Sequence, residues 1–204
     1  MNKIIHSLNL TKIYGEKETS VTALDDINVE FKENDFTAIM GPSGSGKSTL
    51  LHCLAGLDRP TSGQIYLREE DISTLNDKQL TKIRRDSFGF VFQAFNLIPT
   101  LTAEENITLP ASIAGRKPDM DWVKQVVDAV DIGDRLTHRP NELSGGQQQR
   151  VAAARAMATK PEVIFADEPS GNLDSKSSKE LLVFMKSVVD ELNQTIIMVT
   201  HDPY

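Results

Sequence analysis

Four short apolar runs without alternation recur along the chain: FTAIM, FGFVF, VIFA and TIIMV. Runs of this length that lack a polar face are typical of strands buried on both faces of a parallel sheet. Helical patterns lie between the runs, which indicates an α/β fold. Nearer the N-terminus, IIHSLNLTKIY and INVEF alternate apolar and polar residues around the turn-rich GEKETS, and this alternation predicts two further strands.

The segment from about residue 102 to 158 has only helical patterns. They are TAEENITLPASIA, then DWVKQVVDAVDI, then the helix after Ser144. Val123, Val126, Val127 and Val130 recur at helical spacing and form one apolar stripe. We interpret the segment as a helical subdomain inserted into the α/β core, with Trp122 and the valine stripe as packing residues.

Composition limits the class of protein. A chain of 204 residues is long enough for one well-packed domain, and its net charge of -7 argues against a protein that coats nucleic acid. The single cysteine, Cys53, excludes an intramolecular disulfide and lies among leucines as a packed thiol. The longest apolar runs are far shorter than the roughly 18 residues of a membrane span. We therefore expect a soluble cytoplasmic chain that does not insert into a membrane.

A glycine-rich loop follows the first apolar run. The stretch GPSGSGKST fits the pattern GxxxxGK[ST] between a predicted buried strand and an apolar helix. In such a loop, backbone N–H groups surround the α and β phosphates of a nucleotide. We expect Lys47 to reach the β and γ phosphates and the Ser48 hydroxyl to bind Mg²⁺. The predicted phosphate-binding residues are Gly41, Pro42, Ser43, Gly44, Ser45, Gly46, Lys47, Ser48 and Thr49.

Polar residues follow the other apolar runs where each run ends. Gln93 follows FGFVF, and His201 follows TIIMVT. Asp167 and Glu168 follow VIFA. A single loop Gln or a lone His is most often a structural polar group. In an open parallel sheet, however, the carboxyl ends of the strands lie along one edge where ligands bind, so we expect all four residues to face one nucleotide.

The chemistry of these residues predicts their roles. Asp167 is placed as a Mg²⁺ ligand, directly or through water, because Mg²⁺ takes one or two carboxylates. Glu168 would be redundant for the metal, so we assign it as the general base that deprotonates the water attacking the γ-phosphorus. His201 is expected to donate a hydrogen bond to the γ-phosphate and to hold that water and Glu168 in register.

The stretch LSGGQQQR opens the last helix of the helical segment. Ser144 and Gln147 have the spacing of a capping box. A cap does not explain Gly145 and Gly146, because each glycine in a helix costs roughly 0.5 to 1 kcal/mol relative to alanine. A helix N-terminus without side chains also suits a phosphate. Capping and phosphate binding therefore both remain open from these residues alone.

Five stretches taken together resemble the ATP-binding-cassette (ABC) ATPases: GPSGSGKST, Gln93, LSGGQ, VIFADEPSGNLD and THD. Their order and spacing match over essentially the whole chain. The resemblance implies a P-loop NTPase fold with a mostly parallel core sheet, an N-terminal antiparallel β-subdomain and an inserted helical subdomain. It implies one nucleotide-binding domain over residues 1–204, with the α/β core and β-subdomain at about 1–93 and 159–204, and the helical subdomain at about 94–158.

The resemblance also assigns residues to ATP and Mg²⁺. Tyr14 is similar to the aromatic residue that stacks on adenine, and Asp174 to a residue that contacts the site of the other subunit. Gln93 resembles the residue that touches Mg²⁺ and senses the membrane partner. The LSGGQ signature is implied to close over the γ-phosphate of ATP held by the opposite chain of a homodimer. Its residues are Ser144, Gly145, Gly146 and Gln147.

Two stretches, FGFVFQAFNLIPTLTAEENITLP and EPSGNLD, are most similar to the subgroup that serves lipoprotein release, macrolide and antimicrobial-peptide export, and cell-division permeases. This implies an ATPase subunit that is peripheral on the inner face of the cell membrane and drives a permease docked near Gln93 and Phe95. The sequence departs from the family at one point. Family members usually continue beyond the histidine, whereas this sequence ends at Tyr204. The usual C-terminal extension is therefore expected to be absent.

Two other functions were compared with this one. A soluble ABC-type ATPase acting on ribosomes or DNA would generally have two cassettes, a long coiled coil or zinc-binding inserts, and this sequence has none of them. A nucleotide-regulated interaction module without turnover would not need Glu168 and His201.

Overall fold

A computed structural model gives the structure of residues 2–16 and 19–201. One of its two sheets is built largely from N-terminal strands. These are β1 (Lys3–Tyr14), β2 (Val21–Lys32), β4 (Ser62–Leu67) and β5 (Glu70–Asp71). They pair antiparallel in the order β2-β1-β4-β5. The two strands predicted from alternation are confirmed, whereas β4 begins with turn-like Ser62 and Gly63 and has no clear sequence pattern.

The four apolar runs form the second sheet. They are β3 (Phe36–Met40), β6 (Phe88–Phe92), β7 (Val163–Asp167) and β8 (Ile196–Thr200). All pairs are parallel, in the order β3-β8-β7-β6, which confirms the predicted α/β core. The expectation that every run is buried on both faces was wrong for β3. Met40, at the C-terminal end of β3, is 51% exposed, and β3 is one of the two edge strands of the described sheet.

Within residues 2–16 and 19–201, six α-helices connect these strands. Their bounds are α1 (Lys47–Leu54), α2 (Asp77–Ser87), α3 (Ala103–Ile113), α4 (Met120–Ala129), α5 (Gly145–Met157) and α6 (Ser175–Leu192). Between β6 and β7 the described chain is helical, as predicted, and includes the short 3₁₀ turns Gly133–Arg135 and Pro140–Glu142. The valine stripe of α4 is buried, and the Trp122 indole donates a hydrogen bond to the carbonyl of Met157 (2.9 Å), so both have the predicted packing role.

The parallel sheet has a separate apolar cluster on each face. Phe165 packs with α1 and the antiparallel sheet, whereas Ile164 packs with α5 and α6. Cys53 lies in the first cluster with no exposed surface, and burial raises the pKa of its thiol to about 11. It is therefore a packed thiol, as predicted. Among the described helices, none combines the length and apolar character that a membrane crossing requires.

Candidate functional site

The glycine-rich loop joins β3 to α1. Gly46 precedes α1 in the left-handed region (φ 85°), and a Cβ there would lie 2.3 Å from the carbonyl oxygen of Ala23. Because Gly46 offers no side-chain cap, the first-turn N–H groups of α1 keep their capacity to bind an anion. Lys47 is 8% exposed, and its ammonium donates to the carbonyl of Pro42 (2.8 Å). The loop thus concentrates N–H donors and one cation at a helix start.

Asp167 lies at the C-terminal end of β7 beside the start of α1. The Ser48 hydroxyl donates to Asp167 Oδ1 (2.8 Å), and His52 Nε2 lies 2.9 Å from Asp167 Oδ2. Burial opposes ionisation of this carboxyl, but the hydrogen bonds from His52 and Ser48 outweigh it and lower the pKa of Asp167. A hydroxyl and an ionised carboxylate are oxygen ligands that suit Mg²⁺. Two of the three predicted metal ligands, Ser48 and Asp167, are therefore adjacent.

His52 was not predicted as part of the site. It lies one helical turn after Ser48 on the same side of α1, a spacing that places the two side chains close together. Its hydrogen bond to Asp167 raises the pKa of the imidazole despite partial burial. The four-residue spacing was the available signal, but the identity of the partner depended on where β7 ends.

Glu168 and His201 come from neighbouring strand ends. His201 Nδ1 lies 3.2 Å from Glu168 Oε2. Glu168 has a left-handed backbone (φ 46°), and its N–H donates to the carbonyl of Val199 on β8 (2.9 Å). A non-glycine residue in this region is uncommon and often marks a functional site. The arrangement joins the predicted base to the predicted histidine.

Gln93 follows β6 and contacts the loop after β7. Its amide donates to Asn172 Oδ1 (3.3 Å), and the Asn172 amide donates back to the Gln93 carbonyl (2.9 Å). Gly171 permits this approach, because a Cβ there would lie 2.7 Å from Gln93 Nε2. Gln93 is thus joined to the segment that contains Asp174, and neither Gly171 nor Asn172 was predicted to take part.

Tyr14 lies at the end of β1 against the end of α1. Its hydroxyl donates to Asp58 Oδ2 (2.5 Å), and the Lys12 ammonium bonds Asp58 Oδ1 (2.6 Å). Burial, and then the bond to Asp58, raises the pKa of Tyr14. Burial opposes ionisation of Asp58, but the bonds from Lys12 and Tyr14 lower its pKa. Lys12 and Asp58 were not predicted, because they are 46 residues apart in the sequence.

The LSGGQ segment forms the predicted capping box. The Gln147 N–H donates to Ser144 Oγ (3.3 Å), and the Ser144 N–H donates to Gln147 Oε1 (2.9 Å). Gly145 and Gly146 are helical, and an added Cβ would meet its nearest neighbours at 3.7 Å and 3.6 Å. These are ordinary contact distances. Nothing in the described fold around the two glycines requires them to be glycine.

Asp174 and Gln149 form hydrogen bonds that stabilise the segments next to LSGGQ. Asp174 caps α6, since its Oδ1 accepts from the N–H groups of Lys176 and Ser177 at 3.0 Å. Gln149 is fully buried, and its amide donates to the carbonyl of Pro169 (2.7 Å). The signature helix, the loop after β7 and Gln93 therefore form one continuous region.

Part of the predicted site thus lies at one edge of the parallel sheet, whereas Tyr14 is on the antiparallel sheet and the LSGGQ residues are at the start of α5. Lys47 and Ser48 follow β3, Asp167 and Glu168 end β7, and His201 follows β8. The edge combines phosphate-binding N–H groups, a candidate Mg²⁺ pair and a candidate base. This set of groups suits hydrolysis of a nucleoside triphosphate.

Comparison with known families agrees with this assignment. Residues 24–171 match the model of the family described as "ABC transporter". The chain belongs to this family, and the resemblance noted in the sequence is confirmed.

The curated relatives include members of the predicted subgroup. The chain is 44% identical to the lipoprotein-releasing system ATP-binding protein LolD of Geobacter metallireducens, over 99% of this chain and 91% of that protein. It is 46% identical to the macrolide export ATP-binding/permease protein MacB of Marinobacter nauticus, over 98% of this chain and 31% of that protein.

A solved structure supports the fold. The ATP-binding cassette MJ0796 of Methanocaldococcus jannaschii, in a dimeric post-hydrolysis state bound to ADP and Pi, matches with a TM-score of 0.84 and 44% identity. The match covers 97% of this chain and 88% of that one. The predicted ABC ATPase fold is confirmed.

Proposed function

We propose that this chain is the ATP-binding and ATP-hydrolysing subunit of a membrane transporter or mechanotransmission complex. The observation that carries the proposal is the Glu168–His201 pair next to the Ser48–Asp167 pair, both at the edge where the glycine-rich loop begins α1. The names of LolD and MacB, and the ADP and Pi in the MJ0796 structure, support it.

The residues divide the work of phosphoryl transfer. The loop N–H groups and Lys47 bind the phosphates, and Ser48 and Asp167 would hold Mg²⁺, which neutralises charge on the β and γ phosphates. Glu168 takes the proton of the attacking water. His201 holds Glu168 from the neighbouring strand end, which restricts the carboxylate to one orientation.

Glu168→Gln tests the assignment of the base. The amide cannot accept the proton but keeps the size of the side chain, so we expect ATP affinity to be retained and turnover to fall about 10²- to 10⁴-fold. The measurements are ATP binding by calorimetry and phosphate release. Glu191→Gln, on an exposed carboxylate near the end of α6, is the control. Near-normal hydrolysis by Glu168→Gln would remove Glu168 from the mechanism.

We also infer that two chains close head to tail around two ATP molecules, each supplying its LSGGQ segment to the other's phosphates. The room for a methyl group at Gly145 and Gly146 supports this, because the glycines are then explained by a ligand outside the chain. The dimeric state of MJ0796 supports it as well.

The permease docks, we infer, in an apolar cleft close to the loop that carries Gln93 and Phe95. The cleft has a volume of about 340 Å³, and its apolar lining includes Phe90, Phe92, Leu109, Pro110 and Ile113. Ile113 is 76% exposed, and an apolar side chain gains no stability from such exposure to water. A short amphipathic helix of the partner fits such a groove.

Arg155 connects this cleft to the predicted docking residues. It lines the cleft, and its guanidinium donates to the carbonyls of Phe95 (2.9 Å) and Asn96 (2.6 Å). Phe95 itself is half-buried, with its ring 3.8 Å from the Cβ position of Gly145, and is not among the lining residues. A charge at Phe95 would therefore also disturb the signature segment, so Ile113 is the cleaner site for a test.

Ile113→Glu is expected to abolish co-purification of the permease from detergent-solubilised source membranes, with basal ATPase activity and melting temperature unchanged. The matched control is Val183→Glu, because Val183 is 64% exposed on α6. Unchanged co-purification of Ile113→Glu would place the docking surface elsewhere.

A further inference from the structure

Tyr14, Asp58 and Lys12 form a cluster of three side chains. Asp58 accepts hydrogen bonds from the Tyr14 hydroxyl (2.5 Å) and from the Lys12 ammonium (2.6 Å). The same ammonium lies 4.7 Å from the centre of the Tyr14 ring and also donates to the carbonyl of Arg59 (2.7 Å). The Tyr14 hydroxyl is therefore held by Asp58, and one face of the ring lies against Lys12. Tyr14 as a whole remains 42% exposed.

The cluster is attached to the helix that begins at the glycine-rich loop. The N–H of Asp58 donates to the carbonyl of His52 (3.1 Å), which ties Asp58 to the last turn of α1. Asp58 thus links the phenol of Tyr14 to the C-terminal end of α1.

We propose that Asp58 is a positioning residue for the nucleotide base: it holds the Tyr14 ring, backed by Lys12, at a fixed distance and angle from the phosphate-binding loop. The proposal rests on the proposed ATPase function and on the stacking of Tyr14 on adenine that the resemblance to ABC ATPases implies. The base takes the ring face opposite Lys12.

The physical reason is the cost of ordering an exposed side chain when a ligand binds. A tyrosine ring at the end of a strand can adopt several rotamers, and stacking on a base would restrict it to one. The Asp58 and Lys12 contacts restrict it before the nucleotide arrives. The gain applies only to ligands with a base, because the phosphates are bound by a different part of α1.

This dependence on the base separates positioning from a purely structural role. The Lys12–Asp58 ion pair joins β1 to the end of α1, so its loss also lowers stability. A structural defect would weaken the binding of Mg²⁺·ATP and of Mg²⁺ with inorganic triphosphate, which has no base, to the same extent. A positioning defect would weaken only the binding of Mg²⁺·ATP.

The experiment measures the affinity of both ligands by calorimetry for Asp58→Ala, Asp58→Asn, Tyr14→Phe and the double variant Asp58→Ala/Tyr14→Phe. Asp58→Asn keeps an acceptor for the Tyr14 hydroxyl and serves as the conservative variant if Asp58→Ala does not fold. Asp77→Ala is the control, because Asp77 is paired with the adjacent Arg59 (2.8 Å) and its side chain is 94% exposed.

We expect Asp58→Ala to bind Mg²⁺·ATP about two- to tenfold more weakly, which corresponds to the ordering cost of one side chain, with triphosphate affinity unchanged. Asp58→Asn and Asp77→Ala should bind ATP like the wild type. Tyr14→Phe has already lost the bond to Asp58 but keeps the ring beside Lys12, so the further loss in the double variant should be smaller than the loss caused by Asp58→Ala alone.

Two results would overturn the proposal: an equal loss for ATP and triphosphate in Asp58→Ala, or effects of the two substitutions that add in full. Failure of the ATPase function itself is measured separately as the absence of phosphate release by the wild type, which does not depend on Asp58.

Discussion

The loops that begin α1 and α5 are both rich in serine and glycine, yet the chain uses their glycines differently. Gly46 is required by its own fold, since it has a positive φ and no room for a Cβ beside Ala23. Gly145 and Gly146 are ordinary helical residues with room for a methyl group, behind a complete capping box. The fold of the chain therefore explains Gly46, whereas the proposed contact with a phosphate of the partner chain would explain Gly145 and Gly146.

The largest effect should come from mixing two variants of the chain, each with a substitution in one of the two loops. In the proposed head-to-tail dimer, Lys47→Ala would damage the phosphate site of its own chain, whereas Ser144→Arg would block the phosphate bound by its partner. Neither variant alone should close into an ATP-dependent dimer. Mixed chains can form one intact composite site, so we expect ATP-dependent crosslinking between differently tagged chains only in the mixture.

Wild-type chains provide the positive control for this crosslinking, and melting curves should show that both variants are folded. A mixture that fails to crosslink under those conditions would mean that LSGGQ serves only as a helix cap.

Alanine substitution of single glycines should sharpen the comparison. Gly46→Ala introduces both backbone strain and a clash, so it should destabilise the isolated chain by about 2 kcal/mol or more. Gly146→Ala should leave stability unchanged or raise it by about 0.5 to 1 kcal/mol, because alanine is the better helix former. Denaturant unfolding gives both values.

The effect of Gly146→Ala on dimerisation should be opposite to its effect on the stability of the isolated chain. Gly146→Ala is expected to weaken ATP-dependent dimerisation, measured by size-exclusion chromatography in the Glu168→Gln background. Full dimerisation would show that the methyl group does not obstruct a phosphate, and the contrast between the two loops would then be lost.

The smallest effect is electrostatic and concerns Asp58, which is hydrogen-bonded to the last turn of α1. Because the pKa of Asp58 is lowered in the fold, its carboxylate stabilises the chain above the ordinary value of 3.8, and this contribution is lost as the pH falls through the lowered pKa. Asp58→Asn cannot titrate. The difference in melting temperature between wild type and Asp58→Asn should therefore be present near neutral pH and shrink in acid, and a difference that persists in acid would contradict the assignment.

Local sequence was informative wherever one segment contained the whole signal. The glycine-rich loop, the apolar strands β6, β7 and β8, and the capping box of Ser144 each depend on residues within about ten positions of one another. Asp167, Glu168 and His201 could be placed together because strand ends of a parallel sheet share one edge.

Pairings across the chain were not predictable in the same way. Nothing near Lys12 in the sequence indicates Asp58, and the spacing from Ser48 to His52 did not identify Asp167 as the shared partner. The bonds between Gln93 and Asn172 span 79 positions and need the small Gly171. Exposure of β3 also depended on its place at the edge of the described sheet, which its apolar composition does not reveal.

Sequence alone therefore determined which chemical groups this protein carries and the order of its strands and helices along the chain, because apolar periodicity and glycine-rich turns act over short distances. The tertiary structure decided which groups are held in fixed orientations, such as Tyr14 by Asp58 and Asp167 by His52. Those contacts arise only after the two sheets pack around α1, since hydrogen bonds of this kind require atoms within about 3 Å.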